Sequence, residues 1–290
     1  LWARKAAAAR AAGAVAGVAS FSAAPPDLLL EADAVVLAVR DAVIADVAAM
    51  LVATGLITRR HVFLHCSGAI SSGEAFVGVR GAVGGVATMH PLRAIADGRG
   101  AMRTMRGTVF GVEGDEAGRA VADALVQACG GVPLILDGAQ MSAYHAAAAM
   151  ASNFVGALID AAASALAGAG VDADAARSAL IALAQGSLAN VSDHGVDRGL
   201  TGPIRRGDQA TVARHLEALS APDASPALRE IYRVLAQQTL MIARRVGEAR
   251  PADLDAIAGL LAPPAEGAGA PAAGASVGEE AVVARNAYRA

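Results

Sequence analysis

Between residues 33 and 137 the hydrophobic positions fall into short unbroken runs rich in valine, separated by longer stretches in which apolar residues recur every three or four positions. Unbroken runs suit strands covered on both faces, and the longer period suits helices. The pattern predicts strands at 32–39 (ADAVVLAV), 61–66 (HVFLHC), 83–89 (VGGVATM), 108–112 (TVFGV) and 132–136 (VPLIL), with helices at 41–53, 71–79 and 116–129. Strands alternating with helices predict an α/β domain built on a doubly wound parallel sheet. After Asp137 the strand signal stops. Helical spacing continues through 139–167, 173–191, 209–219, 225–246 and 251–261, which predicts an all-helical domain over 138–262. Residues 263–290, rich in proline, alanine and glycine, read as a flexible tail.

Two segments bear on targeting. Residues 1–26 imitate a secretory signal, but Arg10 interrupts a weak apolar stretch of alanine and glycine. The same residues also read as folded structure: LWA ends a strand, 4–12 form a helix and 14–19 a further strand. On that reading the first strand and helix of the domain precede Leu1. Gly138 to Ile159 lacks Asp, Glu, Lys and Arg and is long enough to test as a membrane span. Gln140, Ser142, Tyr144, His145, Ser152 and Asn153 interrupt it, so a buried helix with no membrane partner is expected.

Composition narrows the choice further. A chain of 290 residues is long enough for two cored domains. Hydrophobic residues make up 55% and aromatics only 3%, so alanine, valine and leucine must build the core. With 24 basic and 27 acidic residues the net charge is -3, which gives no global field for nucleic acid. Cys66 and Cys129 are too few for a disulfide framework and read as reduced, buried thiols of a cytoplasmic protein.

Candidate chemistry gathers at the predicted strand ends. No GxGxxG turn for a pyrophosphate occurs anywhere in the sequence. If residues 1–3 end a strand, Arg4 and Lys5 fall where an adenosine ribose is read. Basic groups there accept a 2'-phosphate and favour NADP over NAD; solvated first-turn residues are the alternative. Val39 and Arg40 end one strand on the nicotinamide side. Ser67 and Gly68 follow the next, as cofactor contacts or simply as a helix cap and tight turn. No metal site is expected, because His65 and Cys66, adjacent on a strand, point to opposite faces. Proline after His90 holds that residue extended, where it either exchanges protons with a substrate oxygen or serves as a hydrogen-bonded structural residue.

In YHAAAAMASN, Tyr144 to Asn153, helical spacing sets Ser152 and Asn153 on the face of His145, cushioned by alanines. This stripe either borders a substrate cleft or glues two helices together. Farther on, Thr201 and Arg206 in GLTGPIRRGD suit a carboxylate or phosphate, and Asp208 suits a helix cap.

The order HCSGAISS, MHPL, YHAAAAMASN, LTGPIRRGD resembles a bacterial family of predicted oxidoreductases that join a Rossmann-like domain to a helical domain of unknown function. That family stands among the 6-phosphogluconate dehydrogenase-like proteins, with pyrroline-5-carboxylate reductase, ketopantoate reductase and prephenate dehydrogenase. The resemblance covers residues 1 to about 262. It implies NAD(P)-dependent reduction of a small carbonyl or imine and a homodimer formed through the helical domain; together with the polar residues above, the expected substrate is a small keto or imino acid, ketopantoate being one guess. His145 or His90 would donate the proton, Ser152 and Asn153 would position the carbonyl, and Thr201 and Arg206 would bind the acid group. The lysine that β-hydroxyacid dehydrogenases place on the first interdomain helix is absent. Two other readings remain: a noncatalytic nucleotide sensor or scaffold, and prephenate dehydrogenase-like oxidation, the latter resting on MHPL alone.

Overall fold

The computed structural model describes residues 1–263 except 4, 23, 24, 26, 96, 99, 101–103 and 221–224. Contact density divides the chain into two compact units, 1–160 and 161–290, so helical residues 138–160 count with the sheet.

The first unit contains a five-stranded sheet in the order β1 (Ala34–Leu37), β2 (Val62–His65), β3 (Gly85–Pro91), β4 (Val109–Gly114) and β5 (Val132–Ile135). β1, β2 and β3 are parallel, β4 runs antiparallel to β3, and β5 is parallel to β4. The sheet is therefore mixed where sequence predicted it parallel throughout. Covered strands read as apolar runs in either orientation, and an antiparallel neighbour needs no crossover.

Alternation along β2 explains the unbroken pattern. Phe63 joins a cluster with Leu37, Ile44, Val47, Leu51 and Phe76, whereas Val62 and Leu64 join Phe110, Val112, Ala122 and Val126 on the other face. Helices α2 (Ile44–Ala53) and α4 (Glu116–Ala128) supply those two coverings. Asp115 caps α4 by accepting from the Gly118 amide at 2.8 Å, and it also accepts from the Val86 amide of β3 at 3.0 Å. A Cβ on Gly118 would stand 2.1 Å from the Val86 carbonyl oxygen, so only glycine lets the helix approach the strand this closely.

Several predicted elements differ. The helix α1 (Ala6–Ala16) overruns the strand expected at 14–19, because alanine favours helix until Gly17 turns left-handed at φ 69°. Trp2 and Phe21 form only an isolated parallel bridge. α3 (Ser72–Ala75) is one turn instead of 71–79: Phe76 leaves helical geometry at φ -115° and ψ 15°, and residues 76–82 continue as turns. The single helix expected over 139–167 is two, α5 (Met141–Ala151) and α6 (Asn153–Gly168), broken at Ser152 with φ -125° and ψ -75°. Serine and asparagine there prefer caps to helix interiors. Over Gly138–Gly168 the most apolar window has mean hydropathy 1.4 yet is only 6% buried, so the expected buried helix is open on most sides. Its alanines offer little to bury, and Met150 and Phe154 stand exposed. Cys129, the C-cap of α4, is likewise exposed, and Cys66 only half-buried, not the buried pair expected. Burial still pushes the Cys66 thiol up.

The second unit contains α7 (Ala173–Gly199), α8 (Gln209–Ala218), α9 (Pro226–Val246) and α10 (Pro251–Leu260). Val212, Leu216, Leu240, Leu254, Ile257 and Leu261 form its core. α7 runs past the predicted end at 191 and bends at Gly195, φ 74° and ψ 168°.

Candidate functional site

The carboxyl end of β2 runs into a buried polar network. The backbone N–H of Ser67 donates to His65 Nδ1 at 3.2 Å, which makes Nδ1 the acceptor and puts the ring proton on Nε2. Nε2 lies 3.1 Å from Thr88 Oγ1, and Thr88 in turn donates to Glu113 Oε2 at 3.1 Å. Ser72 donates to the same carboxylate twice, from its amide at 2.8 Å and its hydroxyl at 3.1 Å. Burial pushes His65 below its usual pKa, partly offset by Glu113, in keeping with a neutral ring. This network ties the turn 66–71 to β3 and β4. Within that turn the Ser67 hydroxyl donates to Asp41 Oδ2 at 2.8 Å and accepts from the Ala69 amide at 3.2 Å.

The turn carries Gly68 against two histidines from other elements. A Cβ on Gly68 would stand 2.8 Å from His145 Nδ1 and 2.8 Å from His90 Cε1. The two rings meet edge to face, with centroids 5.7 Å apart and planes at 77°. His90 also stands perpendicular to Tyr144 at 5.5 Å, and its Nδ1 is 2.9 Å from the phenol oxygen. Burial first, and then the neighbouring His145, push the His90 pKa down, against a smaller pull from Asp41. Tyr144 is pushed up by burial. The arrangement is a neutral imidazole, a phenol and a second, exposed imidazole over one glycine turn, a set able to orient and protonate a small polar ligand.

His90, His145, Ser67 and Gly68 are thus brought together. Within the same unit, Val39 and Arg40 lie exposed after β1, and Lys5 is exposed before α1 with no capping bond from its side chain. Arg4 lies outside the described residues. Ser152 and Asn153 are exposed, and Ser152 is itself the break that ends α5, so the helical period from His145 does not carry through to Asn153. In the second unit Thr201 and Arg206 are exposed. Arg205 there pairs with Glu248 and donates to the carbonyls of Asp197, Arg198 and Leu200. Asp208 caps α8, accepting from the Thr211 amide at 3.0 Å and its hydroxyl at 2.7 Å. Among the described residues no group of three or more His, Cys, Asp or Glu is placed to hold a metal ion.

Sequence reasoning missed Tyr144, Asp41, Gly111 and the His65–Thr88–Glu113 network. Tyr144 adjoins His145 in the segment already singled out, and Asp41 directly follows Val39 and Arg40, so local signals existed for both. Gly111 and Glu113 become visible only through the pairing of β4 with β3.

Residues 108–239, just under half of the chain, match a family described as a domain of unknown function, DUF2520. No curated protein matches the sequence. Among solved structures, protein TM1727 from Thermotoga maritima is similar at 26% identity and TM-score 0.64, over 85% of this chain and 89% of that one. The 1-pyrroline-5-carboxylate reductase of Streptococcus pyogenes aligns at 12% identity and TM-score 0.53, over 89% of this chain and 88% of that one. A reductive aminase from Aspergillus terreus, in complex with NADPH and ethyl levulinate, aligns at 16% and 0.56, over 89% of each chain. These likenesses establish the fold, a Rossmann-like α/β unit followed by helices.

Proposed function

We propose that this chain is an NADP-dependent reductase of a small substrate bearing a C=O or C=N group and an acid. The observation that carries the reading is the meeting of His90, His145 and Tyr144 beside the Ser67–Gly68 turn, at the carboxyl ends of parallel β2 and β3. Ligands of open α/β sheets bind at that edge. The fold shared with a pyrroline-5-carboxylate reductase and an NADPH-bound reductive aminase supports the same reading.

The donor chemistry fits the nicotinamide half of such a cofactor. Val39 and Arg40 would border it after β1, and the Ser67–Gly68 turn, fixed by Asp41 and the buried network, would border it after β2. Arg4 and Lys5 would read a 2'-phosphate. When bound, the reduced cofactor supplies a hydride. The chain's own residues would hold the proton that balances it: His90 or His145 would donate it to the substrate oxygen or nitrogen. Ketopantoate belongs to this substrate class.

The open apolar surface of Gly138–Gly168, with Phe154 and Met150 outward, supports a homodimer formed through the helices. Its two unbridged thiols, Cys66 and Cys129, suit a cytoplasmic protein.

A second reading is a noncatalytic nucleotide-sensing or scaffold protein that keeps the fold without the chemistry, favoured by one observation: no lysine stands in Tyr144 to Asn153 on the helix that carries His145. NADPH consumption followed at 340 nm with a panel of 2-keto acids and cyclic imines, alongside calorimetry with NADP, separates the two. Turnover supports the reductase. Nucleotide binding with no turnover supports the sensor.

A further inference from the structure

Gly111 of β4 lies directly across from His90 of β3, and the space its missing side chain leaves is filled by Tyr144. A Cβ there would stand 2.7 Å from Tyr144 Cζ and 2.8 Å from its oxygen. The phenol is thereby seated against the strand pair, within reach of one neighbouring ring nitrogen, His90 Nδ1, at 2.9 Å. The carbonyl of His90 itself is farther away, at 3.5 Å.

Counting protons leaves two directions for the short bond. Tyr144 has one hydroxyl proton, and a neutral imidazole has one N–H and one bare nitrogen. If Nδ1 carries the ring proton, it donates the 2.9 Å bond to the phenol oxygen and the hydroxyl turns to the His90 carbonyl at 3.5 Å. If the hydroxyl donates to Nδ1, the same short bond forms and the ring proton sits on Nε2. A proton relay through His90 uses the second arrangement, and nitrogen spectra distinguish the two.

A neutral imidazole is a poor acid, because losing its one N–H alone would leave an imidazolate. We propose that Tyr144 removes this obstacle: its hydroxyl gives a proton to His90 Nδ1 as His90 Nε2 gives one to the substrate atom being reduced. The inference rests on the reductase reading above. The reductant would be a dihydronicotinamide, whose hydride would supply two electrons to the substrate carbon. The π pair of the C=O or C=N moves to the heteroatom, which takes the Nε2 proton. The Nε2–H and tyrosyl O–H bonds break, an Nδ1–H bond forms, and the imidazole stays neutral. The negative charge comes to rest on the phenolate, which the half-buried Tyr144 discharges by taking a proton from water.

His145 lies outside this path. None of the hydrogen bonds formed by the described residues involves its ring nitrogens, and it meets His90 only edge to face. Four groups act on the His90 charge: Tyr144 and His145 from α5, Asp41 ahead of α2, and His65 from β2. Of these, Asp41 alone favours the imidazolium. Tyr144 is a positioning residue here, acting through His90.

The first test needs neither cofactor nor substrate. Nitrogen-15 spectra of the histidines in the full chain at pH 7.5 should show His90 protonated at Nε2, with Nδ1 shifted as a hydrogen-bond acceptor. In Tyr144→Phe the acceptor shift of Nδ1 should vanish while Nε2 keeps its proton, which loosened packing alone would not cause. The second test is the pH dependence of kcat for reduction. Wild type should stay level from about pH 7 to 9, because the donor is a phenol-strength acid with an ordinary pKa near 10. Tyr144→Phe should fall about 100-fold at pH 8 and recover as the pH drops and His90 becomes an imidazolium. His90 protonated at Nδ1 overturns the relay whatever the chain's activity. The expected spectra with an unchanged profile in Tyr144→Phe overturn the relay alone, and a wild type that reduces nothing overturns the reductase reading with it.

Discussion

His90 and Gly111 face each other across the antiparallel β3–β4 pair, and the absent side chain at 111 is the seat of Tyr144. The site thus depends on a strand pairing made well before α5 begins in sequence. Gly111→Ala should push the phenol off His90 while leaving the strand geometry acceptable to alanine, since glycine is not required there by φ. Overpacking of this kind costs about 1–3 kcal/mol. Urea unfolding should show a loss in that range, and the Tyr144–His90 hydrogen bond should disappear from histidine nitrogen spectra.

Thr88 bridges His65 and Glu113, accepting from one and donating to the other. Thr88→Val keeps the shape and removes both bonds, leaving two buried groups each one partner short. The expected loss is about 1–3 kcal/mol in urea unfolding. Thr88→Ser, which keeps the hydroxyl, should recover most of it.

Both His65 and His90 titrate below their ordinary value in the folded chain, because burial disfavours their charged forms. The unfolded chain therefore binds more protons than the folded one between the lowered values and the ordinary one near 6.5. Their contribution is fully present above that ordinary value and is lost as the pH falls toward the lowered ones. Urea midpoints should be level above about pH 7 and drop below about 6.5, and His65→Gln/His90→Gln should flatten that drop.

How much of this was legible in the sequence follows from the range of each interaction. The five strands and most of the helices were readable because a covered strand and an amphipathic helix each leave a local period. The orientation of β4 was not, since apolar runs carry no direction. His90 was readable through Pro91, which fixes its backbone, and His145 through its polar neighbourhood. Their approach over Gly68 to 5.7 Å depends on three separate elements, β3, α5 and the turn after β2, and no local pattern encodes it. The break at Ser152 was hidden because a helical period counted through alanines looks the same whether or not the helix continues.

Met150 and Phe154 expose 66% and 59% of their surfaces on an otherwise apolar stretch. If a second copy covers them, light scattering should give twice the monomer mass. Phe154→Asp should shift the population to monomer with little change in helical content. A wild type that is monomeric at tens of micromolar would remove the dimer from the account.

The central claim is that the histidine cluster over Gly68 reduces a C=O or C=N group with a nicotinamide hydride. The most direct measurement follows NADPH carrying deuterium at the transferred position, with the product analysed by mass. One deuterium on the former carbonyl or imine carbon is predicted, with the rate falling at least about 100-fold in His90→Gln. A product without deuterium, or a His90→Gln rate equal to wild type, would contradict it.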